Sequence, residues 1–188
     1  IYSLSPYSPE EIVTREYLIK EDIDLIINIV DATNIERSLY LTTQLSTLEI
    51  PTVIALNMWD ILKDELDVKR LEKIFNMPVI PISALKEENI QKLINVSKTH
   101  TNVRHELPLY NKDVDKAVRG LDVFLNLRED YKRWYALKIL DGDEKVLEEL
   151  NLSQNQLEYV KRVRDSLEKT YQDDINGILI NQSYNFIT

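Results

Sequence analysis

Cysteine is absent from the sequence, which excludes disulfide frameworks, cysteine nucleophiles and thiolate-held zinc or iron–sulfur centres. Glycine is scarce, with 3 residues in 188, and none precedes Gly120. The chain therefore contains neither a Gly-x-x-x-x-Gly-Lys-[Ser/Thr] phosphate loop nor a Gly-x-Gly-x-x-Gly dinucleotide fingerprint. Long apolar runs are lacking too: Leu25 to Val30 and Val53 to Leu56 fall far short of the roughly twenty residues that span a bilayer. Positive charge is in deficit, with 23 Lys+Arg against 32 Asp+Glu and a formal net charge of -9. Such a surface repels phosphate backbones, so no nucleic-acid partner is expected. No signal-peptide pattern opens the chain, and its Ser- and Pro-rich start at Ile1 is read as a cut, a processed end or a disordered boundary.

What is present suffices for a core, since 44% of the residues are hydrophobic. Glu10 to Lys20 reads as a helix with Ile12, Val13, Tyr17 and Leu18 on one face. Leu25 to Val30 reads as a strand buried on both faces, and Thr33-Asn34-Ile35-Glu36 as a capping box opening a helix to about Leu48. Pro51 to Leu56 is a second buried strand. A polar helix carrying Val68, Leu71 and Ile74 follows, then a third strand at Val79 to Ile82 and an amphipathic helix around Ile90, Leu93 and Ile94. Strands alternating with helices imply right-handed crossovers and a parallel sheet, so the fold class is α/β over residues 1–106.

From Asn111 onward the apolar spacing of Val114, Ala117, Val118, Leu121 and Leu125 is helical, and residues 107–188 read as a small all-α domain. Its helices cover Tyr131 to Leu140 and Glu144 to Leu150, separated by the Asp141-Gly142-Asp143 turn. A long helix runs to about Tyr171, capped by Ser153 to Gln156 and stapled by Leu152 and Leu157. A short last helix is expected within Asp173 to Thr188.

Chemistry is concentrated at two strand ends. Asn57-Met58-Trp59-Asp60 closes the second strand, and open α/β sheets bind ligands at the carboxyl ends of their strands. The Asp60 carboxylate is a two-oxygen acceptor that matches the adjacent N1–H and N2–H2 donors of guanine, a donor pair adenine lacks. The competing reading of Asn-x-x-Asp is an ordinary strand-end turn. Ser83-Ala84-Leu85 follows the next strand, where small residues let backbone N–H groups approach a base carbonyl. Alone it reads as a helix cap, but one strand–helix unit after Asn57 and Asp60 it supports a guanine-binding set of Asn57, Met58, Asp60, Ser83, Ala84 and Leu85.

These two segments resemble the fourth and fifth motifs of G proteins. Ile1 to Glu10, Asn28 to Arg37 and Ala55-Leu56-Asn57-Met58 resemble, more specifically, the FeoB family of ferrous-iron transporters. Arg133 to Leu140 and Ile180 to Ile187 are similar to its helical region, so the resemblance covers nearly the whole chain. Met58 stands where ordinary small G proteins usually carry Lys.

The resemblance implies a partial P-loop-GTPase-like sheet, running from switch II through the fifth motif, followed by the family's helical domain. It places Ile1 directly after an Asp-x-Pro-Gly motif and makes Ile1, Tyr2, Ser3 and Leu4 part of switch II, with Ile1 to Glu10 sensing the phosphate state. Ras-like proteins have a water-orienting Gln at the position of Ile1, so slow GTP hydrolysis is expected of the intact domain. By itself the chain, without a phosphate loop, is expected to be inactive, and no catalytic residue is assigned. GTP or GDP, with Mg2+ held by ligands outside the chain, is the implied cofactor set, and a monovalent cation is left open. The implied partner is the transmembrane portion of the same polypeptide at the cytoplasmic face of the bacterial membrane, with a homo-oligomer left open. Lys86-Glu87-Glu88-Asn89 departs from the family, which often has Gly there, and implies a loop after Ala84 that is stiffer or differently shaped, with a consequence for the rate of guanine exchange.

Two competitors remain: a ribosome-assembly GTPase, disfavoured by the acidic charge, and a degenerate G domain acting as an interaction scaffold. His100 and His105 are read as exposed residues rather than metal ligands, and no metal ligand is assigned. Asp141-Gly142-Asp143-Glu144 and Asp173-Asp174 are read as solvated charge, Trp134 and Tyr135 as core.

Overall fold

The computed structural model describes residues 1–5, 8–62, 66–101, 106–127 and 131–188. His105, and Pro6 and Tyr7 of the Ile1 to Glu10 segment, lie outside them. The chain falls into two compact units, Ile1–Leu107 and Pro108–Thr188. Among the described residues no helix is long and apolar enough to cross a membrane.

The first unit is built on a three-stranded parallel sheet of β1 (Ile26–Asp31), β2 (Thr52–Asn57) and β3 (Val79–Pro81), in that order. α1 (Pro9–Lys20) precedes it. α2 (Ile35–Ser46) and α3 (Val68–Phe75) make the crossovers, and α4 (Ile90–Thr99) follows. β2 is central and its residues Thr52 to Leu56 are all buried, as a continuous β-favouring run requires between two neighbours. The register pairs Asp31 with Asn57 and Leu56 with Pro81, so the carboxyl ends of the strands share one edge.

β1 departs from the expectation of burial on both faces. Asn28 and Val30 are buried, whereas Ile27 is 44% and Ile29 67% exposed. The strand alternates because α2 covers one face of it, and the buried Asn28 is satisfied by donating to Thr42 Oγ1 at 2.6 Å. α1 departs as well: of its expected apolar face Leu18 is buried, but Val13 and Tyr17 are exposed while Arg15 is buried. Its start is fixed instead by end chemistry, a reciprocal capping box of Ser8 with Glu11 and Pro9 in the first turn. The expected capping box at Thr33 does not form. The Thr33 amide and hydroxyl both donate to Asp31 Oδ1, at 2.9 and 2.7 Å, and wind a single 3-10 turn over Ala32–Asn34 before α2.

The second unit comprises α5 (Lys112–Leu125), α6 (Lys132–Asp141), α7 (Glu144–Leu150), α8 (Gln154–Tyr171) and α9 (Ile175–Ile187). α6 is central, with every residue from Trp134 to Leu140 buried and α5, α7, α8 and α9 packed around it. A helix surrounded in this way is buried on all sides rather than along one stripe, and the one charged residue of the stretch, Lys138, lies 3.9 Å from Asp141. Trp134 and Tyr135 are core, their rings edge to face at 5.0 Å. Gly142 ends α6 at φ +82, where its N–H reaches Ile139 O and a Cβ would meet Arg164 at 2.8 Å. Asp143 and Asp174, read above as solvated charge, are N-caps of α7 and α9. The Ser153–Gln156 capping box forms as expected. The last helix has 13 residues rather than being short.

Candidate functional site

The chain leaves β2 through Met58, whose φ of 65 lies in the left-handed region that an unbranched side chain enters only at a cost. That turn brings the Trp59 N–H onto Ile82 O at 3.1 Å and swings the Asp60 side chain toward the loop after β3. Asn57 ties the same two loops: its Oδ1 accepts the Ala84 N–H at 3.0 Å. With one oxygen engaged in this way, the Asn57 amide still has its NH2 group as a donor. Asn57, Asp60 and Ser83-Ala84 are thus one hydrogen-bonded unit.

The loop after β3 is closed by a pair of bonds between Ser83 and Glu88, Ser83 N–H to Glu88 O at 3.3 Å and Glu88 N–H to Ser83 O at 3.0 Å. Glu87 and Asn89 both take positive φ, 56 and 60, although neither is glycine. Asn89 Nδ2 donates to Pro81 O at 2.9 Å and anchors the far side of the loop. Ser83 is buried, Leu85 is fully presented to solvent, and Lys86 N–H donates to Ser83 Oγ at 3.3 Å.

Asp60 is the electrostatic focus. Lys86 Nζ lies 3.1 Å from Asp60 Oδ2. The Lys86 hydrogen bond and then the Ser83 hydroxyl hold the Asp60 carboxyl below the ordinary value of 3.8. An ionised acceptor ringed by donors can exchange one donor for another, which is what a guanine edge would require of it.

The first residues run beside the same strand ends. Leu4 is fully buried and its N–H donates to Gln44 Oε1 of α2 at 2.5 Å. Ser3 Oγ donates to Glu11 Oε1 at 2.6 Å, and the Arg37 guanidinium sits 3.8 Å above the Tyr2 ring. Ile1 and Tyr2 line a cleft of about 240 Å³ together with Asp31, Asn57 and Met58. Two of the expected switch residues, Ile1 and Tyr2, and two of the expected base residues, Asn57 and Met58, therefore border one space.

From sequence, Lys86 entered only as the first residue of the Lys86-Glu87-Glu88-Asn89 departure and Arg37 only as the end of the Asn28 to Arg37 resemblance; neither they nor Gln44 were assigned to the site. The loop pairing of Asp60 with Lys86 has no periodic signal; a basic residue next to Ser83-Ala84-Leu85 was its only trace. His100 ends α4 as its C-cap, and burial holds its pKa below the ordinary value.

A family model described as "Ferrous iron transport protein B" matches residues 1–97, and one described as "FeoB cytosolic helical domain" matches residues 110–188. The chain is 32% identical to the Fe(2+) transport protein A/Fe(2+) transporter FeoB fusion protein of Porphyromonas gingivalis, over 99% of this chain and 24% of that protein. It is 35% identical to the Fe(2+) transporter FeoB of Escherichia coli K12, over 76% of this chain and 20% of that protein. It thus spans a quarter of the first relative or less of the second. Among solved structures, an S. thermophilus NFeoB point mutant bound to GDP superposes with a TM-score of 0.94 at 38% identity, over 100% of this chain and 76% of that one. NFeoB from S. thermophilus bound to GDP.AlF4- and K+ superposes with a TM-score of 0.93 at 37% identity, over 99% and 76%.

Proposed function

The chain belongs to the ferrous iron transport protein B (FeoB) family, and from that premise we propose that it is the guanine-reading and helical part of a nucleotide-controlled ferrous-iron transporter. The observation that carries this reading is the hydrogen bond from Ala84 N–H to Asn57 Oδ1, which fixes the two motif loops to each other beside Asp60. Asp60 accepts guanine N1–H and N2–H2. The Asn57 amide donates toward the base, and Ser83, Ala84 and Leu85 with Met58 border it. The donor set fits guanine because Asp60 is an acceptor held ionised, whereas adenine offers no matching donor pair.

Ile1 to Leu4 act as the switch segment. Their attachments to Glu11, Arg37 and Gln44 are two hydrogen bonds and one ring contact, a small set that a phosphate-dependent rearrangement can exchange. Ile1 supplies no group to orient an attacking water, which supports slow hydrolysis in the intact domain. Residues 1–106 serve as the part of the G domain from switch II onward, and residues 107–188 as the helical domain that relays its state toward the membrane. Bound nucleotide would carry its own phosphate charge with Mg2+. No residue of this chain is assigned to Mg2+, to phosphate or to a monovalent cation such as the K+ bound in the S. thermophilus relative. The work is placed at the cytoplasmic face, with Fe2+ as cargo of the whole transporter.

The test is base selectivity in the full-length protein. Inosine diphosphate lacks the N2 amino group and forfeits one charge-assisted bond, so it should bind about 10- to 100-fold more weakly than GDP. ADP should bind more weakly still. Equal binding of ADP and GDP would refute guanine recognition.

A further inference from the structure

The base site carries its own occupant. Lys86 Nζ lies 3.1 Å from Asp60 Oδ2, and the Ser83 hydroxyl bonds the same carboxylate, leaving the Asp60 side chain 12% exposed while Lys86 is 53% exposed. A carboxylate that must face two guanine donors is here covered by an ammonium.

Lys86 is not placed there by chance rotation of a long side chain alone. Its own N–H is bonded to Ser83 Oγ. The loop around it is closed by the paired Ser83–Glu88 bonds and held by Asn89 to Pro81, with left-handed turns at Glu87 and Asn89. A loop with glycine at those turns would move freely; this one returns the Lys86 root to the rim of Asp60.

We propose that Lys86 is an affinity-setting residue of the base site, whose ammonium occupies the Asp60 carboxylate in the empty state and must leave before guanine docks. This inference rests on the guanine reading given above. Ser83 can stay on the carboxylate while the base binds, because a carboxylate offers about four acceptor directions. Ser83 is buried and bonds the carboxylate from the protein side, whereas Lys86 is exposed and covers Oδ2 on the solvent side, where the base has to approach.

The consequence is kinetic. Only the fraction of molecules with Lys86 displaced is competent to bind, so the apparent dissociation constant is raised by the inverse of that fraction. A partly exposed ion pair shifts such a balance by about 1.5- to 5-fold. Removing the pair should therefore speed association by that factor and leave dissociation of bound nucleotide nearly unchanged. A merely structural role would do the opposite, since loosening the loop speeds dissociation.

The experiment is stopped-flow binding of a fluorescent GDP analogue to the full-length protein, comparing the natural residue with Lys86→Gln and Lys86→Arg. The expected result is association about 1.5- to 5-fold faster in Lys86→Gln, with little change in dissociation, and no gain in Lys86→Arg, which keeps a cation on Asp60. Unchanged or slower association in Lys86→Gln, or tighter binding arising from dissociation alone, overturns the proposal. Each variant is first compared with the natural protein for its unfolding temperature, so that a folding defect is separated from a site effect. Failure of the underlying reading is distinguishable: ADP would then rival GDP in the natural protein, whereas failure of the Lys86 proposal would leave guanine selectivity intact.

Discussion

Asn57 commits its oxygen to the Ala84 amide, so it has both a structural and a binding consequence. Asn57→Ala should lower stability by about 1 kcal/mol, the net worth of one hydrogen bond, in chemical denaturation. Asp60 makes a different kind of prediction. Its carboxyl is held below 3.8 by Lys86 and then Ser83, so its stabilising contribution is present above 3.8 and is lost only as the pH falls through the lower folded value. Carbon-detected NMR should find the Asp60 titration moving upward, toward 3.8, in Lys86→Gln. An unmoved titration would mean that the ion pair is not populated in solution. Met58 was named in the sequence with Asn57 and Asp60, but its left-handed backbone was not expected, because a methionine side chain gives no sign of a positive φ.

The elements were legible where packing is symmetrical. β2 has neighbours on both edges and cover on both faces, and its run of apolar residues says so. β1 carries an equally apolar run, yet Ile27 and Ile29 are exposed, because composition does not report how many faces are covered. The same limit applies to α1, where Val13 and Tyr17 point away from the core and the capping chemistry of Ser8, Pro9 and Glu11 carries the helix start. Caps are more readable than faces because they depend on adjacent residues only, although Thr33 shows that a nearby Asp31 can take over the expected donor. At this scale the buried anchor of the switch segment is Leu4. Leu4→Ala should cost about 2–5 kcal/mol in urea unfolding, whereas Val13→Ala, on the exposed face of α1, should cost less than about 0.5 kcal/mol.

At the scale of the molecule, each of the two units has its own core, one around β2 and the other around α6. Residues 108–188 alone should therefore give a helical circular-dichroism spectrum and melt cooperatively; a gradual, non-cooperative melt would contradict an independent core. That the second unit is helical was readable from the change of apolar period after Asn111. The pairing of Asp60 with Lys86 was not, because it depends on how two loops meet at a sheet edge. Guanine recognition at that edge is the central claim, and the most direct test is Asp60→Asn in the full-length protein, titrated with GDP and xanthosine diphosphate. Recognition by Asp60 predicts GDP binding weakened by about 10- to 100-fold and preference shifted toward xanthine, whose carbonyl accepts from the new amide. Unchanged preference for GDP would contradict it.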